Sequence, residues 1–205
     1  MRVEFFYDLG SPYTYLAFTQ IEAMAARHDA ELVWRPFLLG GVFKATGSRP
    51  PIEIGAKARG MGRDLLRWAA QYRVPFAFPP IVPPRTLRAM RMCVAAEGVP
   101  SDRVRHPRGA LVPFTRAAFV AAWVEARDIS EDAVLAGAAR SAGLDGAALL
   151  AEADAPAVKD RLRAHTDEAV ARGAFGAPTF FVEDEMYWGN DRLHQVEAHL
   201  AGKKL

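Results

Sequence analysis

A strand-like run, a Gly-Ser-Pro break and a helix-length amphipathic stretch open this chain, and that order restricts the fold more than any other feature. Residues 2–7 (RVEFFY) are short, aromatic and β-branched, the pattern of a buried strand. Asp8-Leu9-Gly10-Ser11-Pro12 breaks the run. Pro12 fits the first turn of a helix, where its missing N–H costs nothing, and Ser11 fits the N-cap before it. A helix predicted to about residue 28 carries Tyr15, Phe18, Ile21 and Ala25 near a 3.6-residue spacing. Residues 31–37 (ELVWRPF) read as a second strand. Two strands flanking one helix of this length form a βαβ unit.

After Leu39-Gly40-Gly41 the pattern becomes helical, punctuated by Pro50-Pro51 and by Pro79, Pro80, Pro83 and Pro84. Helices are expected at 57–72, 86–97 and 114–127, after Ser130 as an N-cap, near Asp145, and from Pro156 to a stop at Gly173. β-character returns at 178–182, where Glu183-Asp184-Glu185 turns the chain and Met186-Tyr187-Trp188 pairs back as a hairpin. Gly189-Asn190-Asp191 then opens a last helix to about residue 200. The order βαβ, helices, ββα is that of an α/β, thioredoxin-like sheet split by an all-helical insertion. Residues 1–41 plus 166–205 would form the sheet domain and 42–165 the insertion.

Composition removes several classes of function. With 26 basic and 24 acidic residues the net charge is +2, too small to imply a nucleic-acid or membrane partner. Ten arginines do fall between residues 59 and 108, against Asp64, Glu97 and Asp102. They make either a solvated helical surface or an electropositive approach for an anion. Cys93 is the one cysteine, so an intrachain disulfide and a cysteine metal cluster are excluded. Its apolar helical neighbours make it a core residue. The histidines at 28, 106, 165, 194 and 199 have no metal-ligand spacing, and no metal is expected. No apolar run reaches the roughly 18 residues of a membrane span, and no leader precedes the first strand, so a cytoplasmic location is expected.

Three short segments carry possible chemistry. Ser11-Pro12-Tyr13-Thr14 lies at a strand-to-helix junction where thioredoxin-like redox proteins place Cys-X-X-Cys. With Ser11 and Thr14 at the two cysteine positions, intramolecular dithiol chemistry is impossible. Ser11 can serve simply as an N-cap, or its hydroxyl and the helix N–H groups can hold an anion such as a ligand's thiolate. Gly176-Ala177-Pro178-Thr179 leads into a strand. Pro178 there is either an ordinary loop proline or a cis proline that leaves the Ala177 backbone to pair with an extended peptide. Gly189-Asn190-Asp191 is either a plain cap or a helix start that takes a carboxylate, with Asp191 holding an amine. Together the three match the needs of a glutathione tripeptide.

The chain resembles the 2-hydroxychromene-2-carboxylate isomerases and the related kappa-class glutathione transferases. The likeness runs nearly full length, through FYDLGSPYTYLA at 6–17, RPFLLGGVFKATGSRPP at 35–51 and GAFGAPTFFVEDEMYWGNDRL at 173–193. It implies that glutathione is the cofactor and that Ser11 is the catalytic residue contacting its sulfur. Ala177 and Pro178 would bind its backbone, and Trp188, Gly189, Asn190 and Asp191 its γ-glutamyl end. Lys44 falls on the substrate side, where Tyr13 and Arg85 are further candidates to contact an aromatic carboxylate. Ser48 replaces the family's usual asparagine, and Arg85 stands where asparagine is common. Both departures bear on specificity for the second substrate.

The resemblance further implies reversible thiolate addition to a chromene carboxylate, bond rotation, and release of the trans-o-hydroxybenzylidenepyruvate, as in aromatic catabolism. It also carries the expectation of a homodimer. A kappa-like transferase acting on other electrophiles, or a non-catalytic peptide-binding or chaperone protein, are the alternatives.

Overall fold

The computed structural model describes residues 1–99 and 109–203. Arg103, Arg105, His106 and Arg108 of the basic stretch lie outside the described residues. The chain divides into two compact units, 1–74 with 166–205 and 75–165.

The first unit holds a four-stranded mixed sheet in the order β2-β1-β3-β4. β1 (Arg2–Tyr7) pairs in parallel with β2 (Glu31–Pro36), and antiparallel with β3 (Thr179–Val182), which pairs with β4 (Glu185–Trp188). β1 is central, and its residues after Arg2 are all buried. A strand buried on both faces is rich in aromatic and β-branched residues, as 3–7 is apart from Glu4. On one face Phe5 stacks on Phe180 at 5.2 Å and meets Trp34 edge-on at 5.4 Å. Phe18 of α1 (Pro12–Arg27) joins them at 5.7 Å from Trp34, so α1 covers this face. On the other face Phe6, Phe37 and Phe181 pack with Val42 of α2 (Leu39–Thr46) and Ala169 of α8 (Pro156–Ala171). Fully burying each such ring stabilises the fold by about 1.5–3 kcal/mol.

Glu4 shares the second face and sits among three arginines. Its carboxylate bonds Arg35 at 3.1 Å and Arg172 at 3.0 Å, with Arg2 at 3.5 Å. Burial alone would raise the Glu4 carboxyl, but hydrogen bonds from Arg172 and Arg35 hold it below its ordinary value. The Arg172 guanidinium also lies 3.8 Å from the Phe181 ring centroid, a cation–π contact that lets a charged group border an apolar core.

Two elements of this unit differ from the sequence expectation. Helical character was expected to begin after Gly41, yet α2 already includes Gly40 and Gly41. A Cβ on Gly41 would come within 3.0 Å of Thr166 Cγ2, so the glycine allows close packing here. Gly47, at φ +67°, is the real stop. Residues 42–74, expected with the insertion, cluster with the sheet, because α3 (Gly55–Tyr72) lies along α1 and Tyr13 bonds Asp64. Gly173, at φ +92°, ends α8 as expected, with its N–H on Val170 O.

The second unit is helical: α4 (Leu87–Glu97), α5 (Leu111–Trp123), α6 (Asp132–Ser141), α7 (Gly146–Glu152) and α8 up to His165. Phe114, Phe119, Trp123, Met90 and Leu135 are buried, as is Cys93, whose sulfur is 3.7 Å from Thr115 Oγ1. Asp145 caps α7 by accepting from Ala147 N and Ala148 N. Ser130 is not the cap of α6: its hydroxyl donates to Asp128 at 2.7 Å and Glu131 takes the N-cap position. The Asp128 carboxylate, two residues upstream, accepts from both the Ser130 N–H and its hydroxyl and holds the residue in a local turn before the helix. No helix among the described residues is long and apolar enough to cross a membrane.

Candidate functional site

The C-terminal end of β1 delivers Ser11 to the start of α1. Asp8 shapes the link: its carboxylate accepts from Gly10 N and from Leu39 N, both at 2.8 Å. This ties the β1–α1 turn to the start of α2, an Asx-type turn of the kind Asp-X-Gly favours.

Ser11 is the N-cap of α1, in an extended conformation, and is 5% exposed. Its Oγ accepts from Thr14 N at 3.2 Å and donates to Ala177 O at 3.0 Å. The second bond joins residues 166 positions apart. The Ala177–Pro178 peptide is cis. The Ala177 N–H donates to no described residue, so its backbone keeps a donor available, while its carbonyl is already taken by Ser11. Thr14 Oγ1 is wholly buried with no hydrogen-bond partner among the described residues.

Pro178 is linked in turn to the last segment, since Gly189 N donates to Pro178 O at 3.0 Å. Gly189 adopts φ +99°, ψ 152°, a region essentially reserved for glycine. It turns the chain from β4 into a short 3₁₀ turn, Asn190–Arg192, and then α9 (Leu193–Leu200). Asn190 is 2% exposed, and its Nδ2 has no acceptor among the described residues. A buried donor left unpaired costs about 1–3 kcal/mol, which makes Asn190 Nδ2 a candidate donor to a bound group. Asp191 pairs with the neighbouring Arg192. Trp188 is half-exposed, 4.8 Å from the Phe175 ring, and a Cβ on Gly176 would collide with its indole.

α3 closes this side. Tyr13 donates its hydroxyl to Asp64 Oδ2 at 2.9 Å, and Tyr72 donates to Asn190 O at 3.3 Å. Burial, the Asp64 bond and the charges of Asp64 and Asp191 push the Tyr13 phenol far above the ordinary tyrosine value. Burial also raises Tyr72, with the Asp191 charge adding to it against the Asn190 bond.

Ser11, Ala177, Pro178 and Gly189 are thus joined by a chain of hydrogen bonds, and the Asp191 charge is near enough to Tyr13 to help keep its phenol protonated. Among the described residues Lys44 and Ser48 are not bonded to this group. Lys44 is exposed in the last turn of α2, and Ser48 is exposed beyond Gly47, with only its backbone N–H bonded, to Phe43 O. Arg85 is exposed in the helical unit, where its charge helps lower Asp128. Thr14, Asp64, Tyr72 and Phe175 were missed as site residues. The orphan hydroxyl of Thr14 had a signal in its place at the second cysteine position; Asp64 and Tyr72 had none, being two polar groups on an ordinary helix. Among the described residues no group of three His, Cys, Asp or Glu side chains could hold a metal.

The DSBA-like thioredoxin domain family matches residues 2–201. The chain is 33% identical over 203 residues to the 2-hydroxychromene-2-carboxylate isomerase of Sphingobium xenophagum, covering 97% of each chain. It is 30% identical over 214 residues to glutathione S-transferase kappa 1 of Homo sapiens, covering 98% of this chain and 91% of that one. The solved structure of a 2-hydroxychromene-2-carboxylate isomerase superimposes with a TM-score of 0.84 at 27% identity, covering 98% of this chain and 95% of the other. On a match spanning nearly all of its length, the chain belongs to the DSBA-like thioredoxin domain family, and within it to the group of the 2-hydroxychromene-2-carboxylate isomerases and kappa glutathione transferases.

Proposed function

We propose that this chain is a glutathione-dependent isomerase that converts 2-hydroxychromene-2-carboxylate-type aromatic carboxylates to trans-o-hydroxybenzylidenepyruvates. The observation that carries the reading is the bond between Ser11 Oγ and Ala177 O, which puts a helix N-cap hydroxyl against a backbone able to pair with an extended peptide. Three unpaired donors fit a peptide with carboxylate and carbonyl groups: the Ala177 N–H, Asn190 Nδ2 and Thr14 Oγ1. Bound glutathione supplies a thiolate that adds reversibly to a conjugated double bond and is regenerated.

The chain's own residues do the rest. Ser11 Oγ–H and the first amides of α1 stabilise negative charge at the helix N-terminus, a charge-assisted bond stronger than a neutral one. Ala177 aligns a ligand backbone in the manner of an added strand. Asn190 and the start of the last helical segment take a carboxylate, and Asp191 takes an amine. Tyr13 stays protonated throughout the neutral range, so it lines the site as an aromatic wall and not as a base. Lys44, Ser48 and Arg85 are candidates for recognition of the second substrate, each tested by the KM of its alanine variant.

The identity to a kappa transferase favours one second reading, in which the same site conjugates other electrophiles. Incubating the protein with catalytic glutathione and a panel of chromene carboxylates and standard electrophiles separates the two. Turnover without loss of glutathione supports the isomerase, and stoichiometric loss supports the transferase. Absence of glutathione binding by calorimetry would sink both and leave a peptide-binding or chaperone role. The family likeness also suggests a homodimer, which sedimentation velocity checks.

A further inference from the structure

Ser11 Oγ carries a single hydrogen, and that hydrogen is already placed on Ala177 O at 3.0 Å. One acceptor position of the oxygen is used as well, by Thr14 N at 3.2 Å. A hydroxyl in this state cannot donate to an arriving sulfur without first abandoning the carbonyl. Breaking that bond with nothing in exchange leaves the carbonyl of half-buried Ala177 without its partner, beside a serine that is itself only 5% exposed. Beside it, Thr14 Oγ1 is wholly buried on the same helical turn and has no partner among the described residues, so this corner has polar capacity the folded chain leaves unused.

We propose that the Ala177 carbonyl is a specificity-determining group that makes thiol activation conditional on a backbone N–H in the ligand. This rests on the glutathione-dependent reading and goes beyond it by stating which thiols the site activates. A ligand N–H arriving at Ala177 O replaces the Ser11 hydrogen there, and the freed Ser11 O–H turns onto the sulfur. The two bonds are exchanged together, so neither the carbonyl nor the hydroxyl passes through an unpaired state. The proton of Ser11 stays on Oγ and only its direction changes, while the thiol's proton passes to water. The class of ligand that works the exchange is an N-acylated cysteine, whose amide N–H is two carbons from the sulfur. A thiol of equal bulk without that N–H leaves Ser11 on the carbonyl and keeps its ordinary acidity.

The test compares glutathione with its depsipeptide analogue, in which an ester oxygen replaces the cysteinyl N–H while length, charge and thiol are kept. The thiolate absorbance of each is titrated against pH with saturating wild-type protein and with Ser11→Ala. With wild-type protein the bound glutathione thiol is expected to be about tenfold or more stronger as an acid than the bound analogue, the size of a charge-assisted hydrogen bond. In Ser11→Ala the difference is expected to vanish. Ser11→Thr, which keeps both cap and hydroxyl, is expected to retain it and serves if the alanine variant does not fold. Equal acidification of the two thiols by wild-type protein overturns this inference and leaves the glutathione reading standing. Failure of glutathione itself to bind overturns both.

Discussion

Tyr13, two residues past the N-cap of α1, donates its hydroxyl to Asp64 on α3 at 2.9 Å, and this bond pins the first turn of α1 to a helix 51 positions away. A residue with so firmly held a proton cannot act as a base near neutrality. Its raised value also has a consequence for stability, with a definite sign. The neutral phenol is favoured in the folded state, so the stabilisation is complete below the ordinary tyrosine value of about 10 and is lost as pH climbs towards the raised one. Tyr13→Phe is expected to flatten the fall in Tm above about pH 10. Asp64→Asn is expected to bring one tyrosine's ultraviolet titration closer to the ordinary range, and an unchanged titration would refute the assignment.

Ser11→Ala removes both an N-cap acceptor and the donor to Ala177. Loss of the cap alone costs about 0.5–2 kcal/mol. Denaturant unfolding should show that loss, and turnover of a chromene carboxylate should fall at the same time. A variant as active as wild type would remove Ser11 from catalysis even if its stability dropped.

Gly189→Ala forces a side chain into a conformation at φ +99° and pushes its Cβ into the Asp191 carboxylate. The backbone term alone is about 1–3 kcal/mol. Because Gly189 N also holds Pro178 O, the expected outcome is reduced stability together with weaker glutathione binding by calorimetry. Binding that is unaffected would detach this turn from the site.

Glu4 predicts the acid side. Its carboxyl is held low, so its stabilisation is complete above the ordinary value of 4.5 and is lost as pH falls below it. Glu4→Gln is expected to cost about 1–3 kcal/mol at neutral pH, as the charged bonds to Arg35 and Arg172 are weakened. The variant's stability should also depend less steeply on pH below 4.5 than that of wild type, which chemical unfolding at several pH values measures.

The elements themselves were legible because their signals are local. Aromatic and β-branched residues made β1, Ser11-Pro12 began α1, and Asp145 capped α7, each from propensity and hydrogen bonding within a few residues. A boundary was misread where a neighbouring side chain decided it: Ser130 turns back to Asp128, and Glu131 takes the N-cap position of α6.

By itself the sequence determined the order of strands and helices, the absence of a dithiol at Ser11 and Thr14, and the family to which the chain belongs. Only the tertiary structure decided where the hydrogen of Ser11 goes, that Asp64 holds Tyr13, and that Thr14 and Asn190 are left with unused donors. The physical reason is range. Propensity and capping act over a few residues of chain, whereas a hydrogen bond between Ser11 and Ala177 requires two segments 166 residues apart to be brought to 3.0 Å by the packing of the whole sheet.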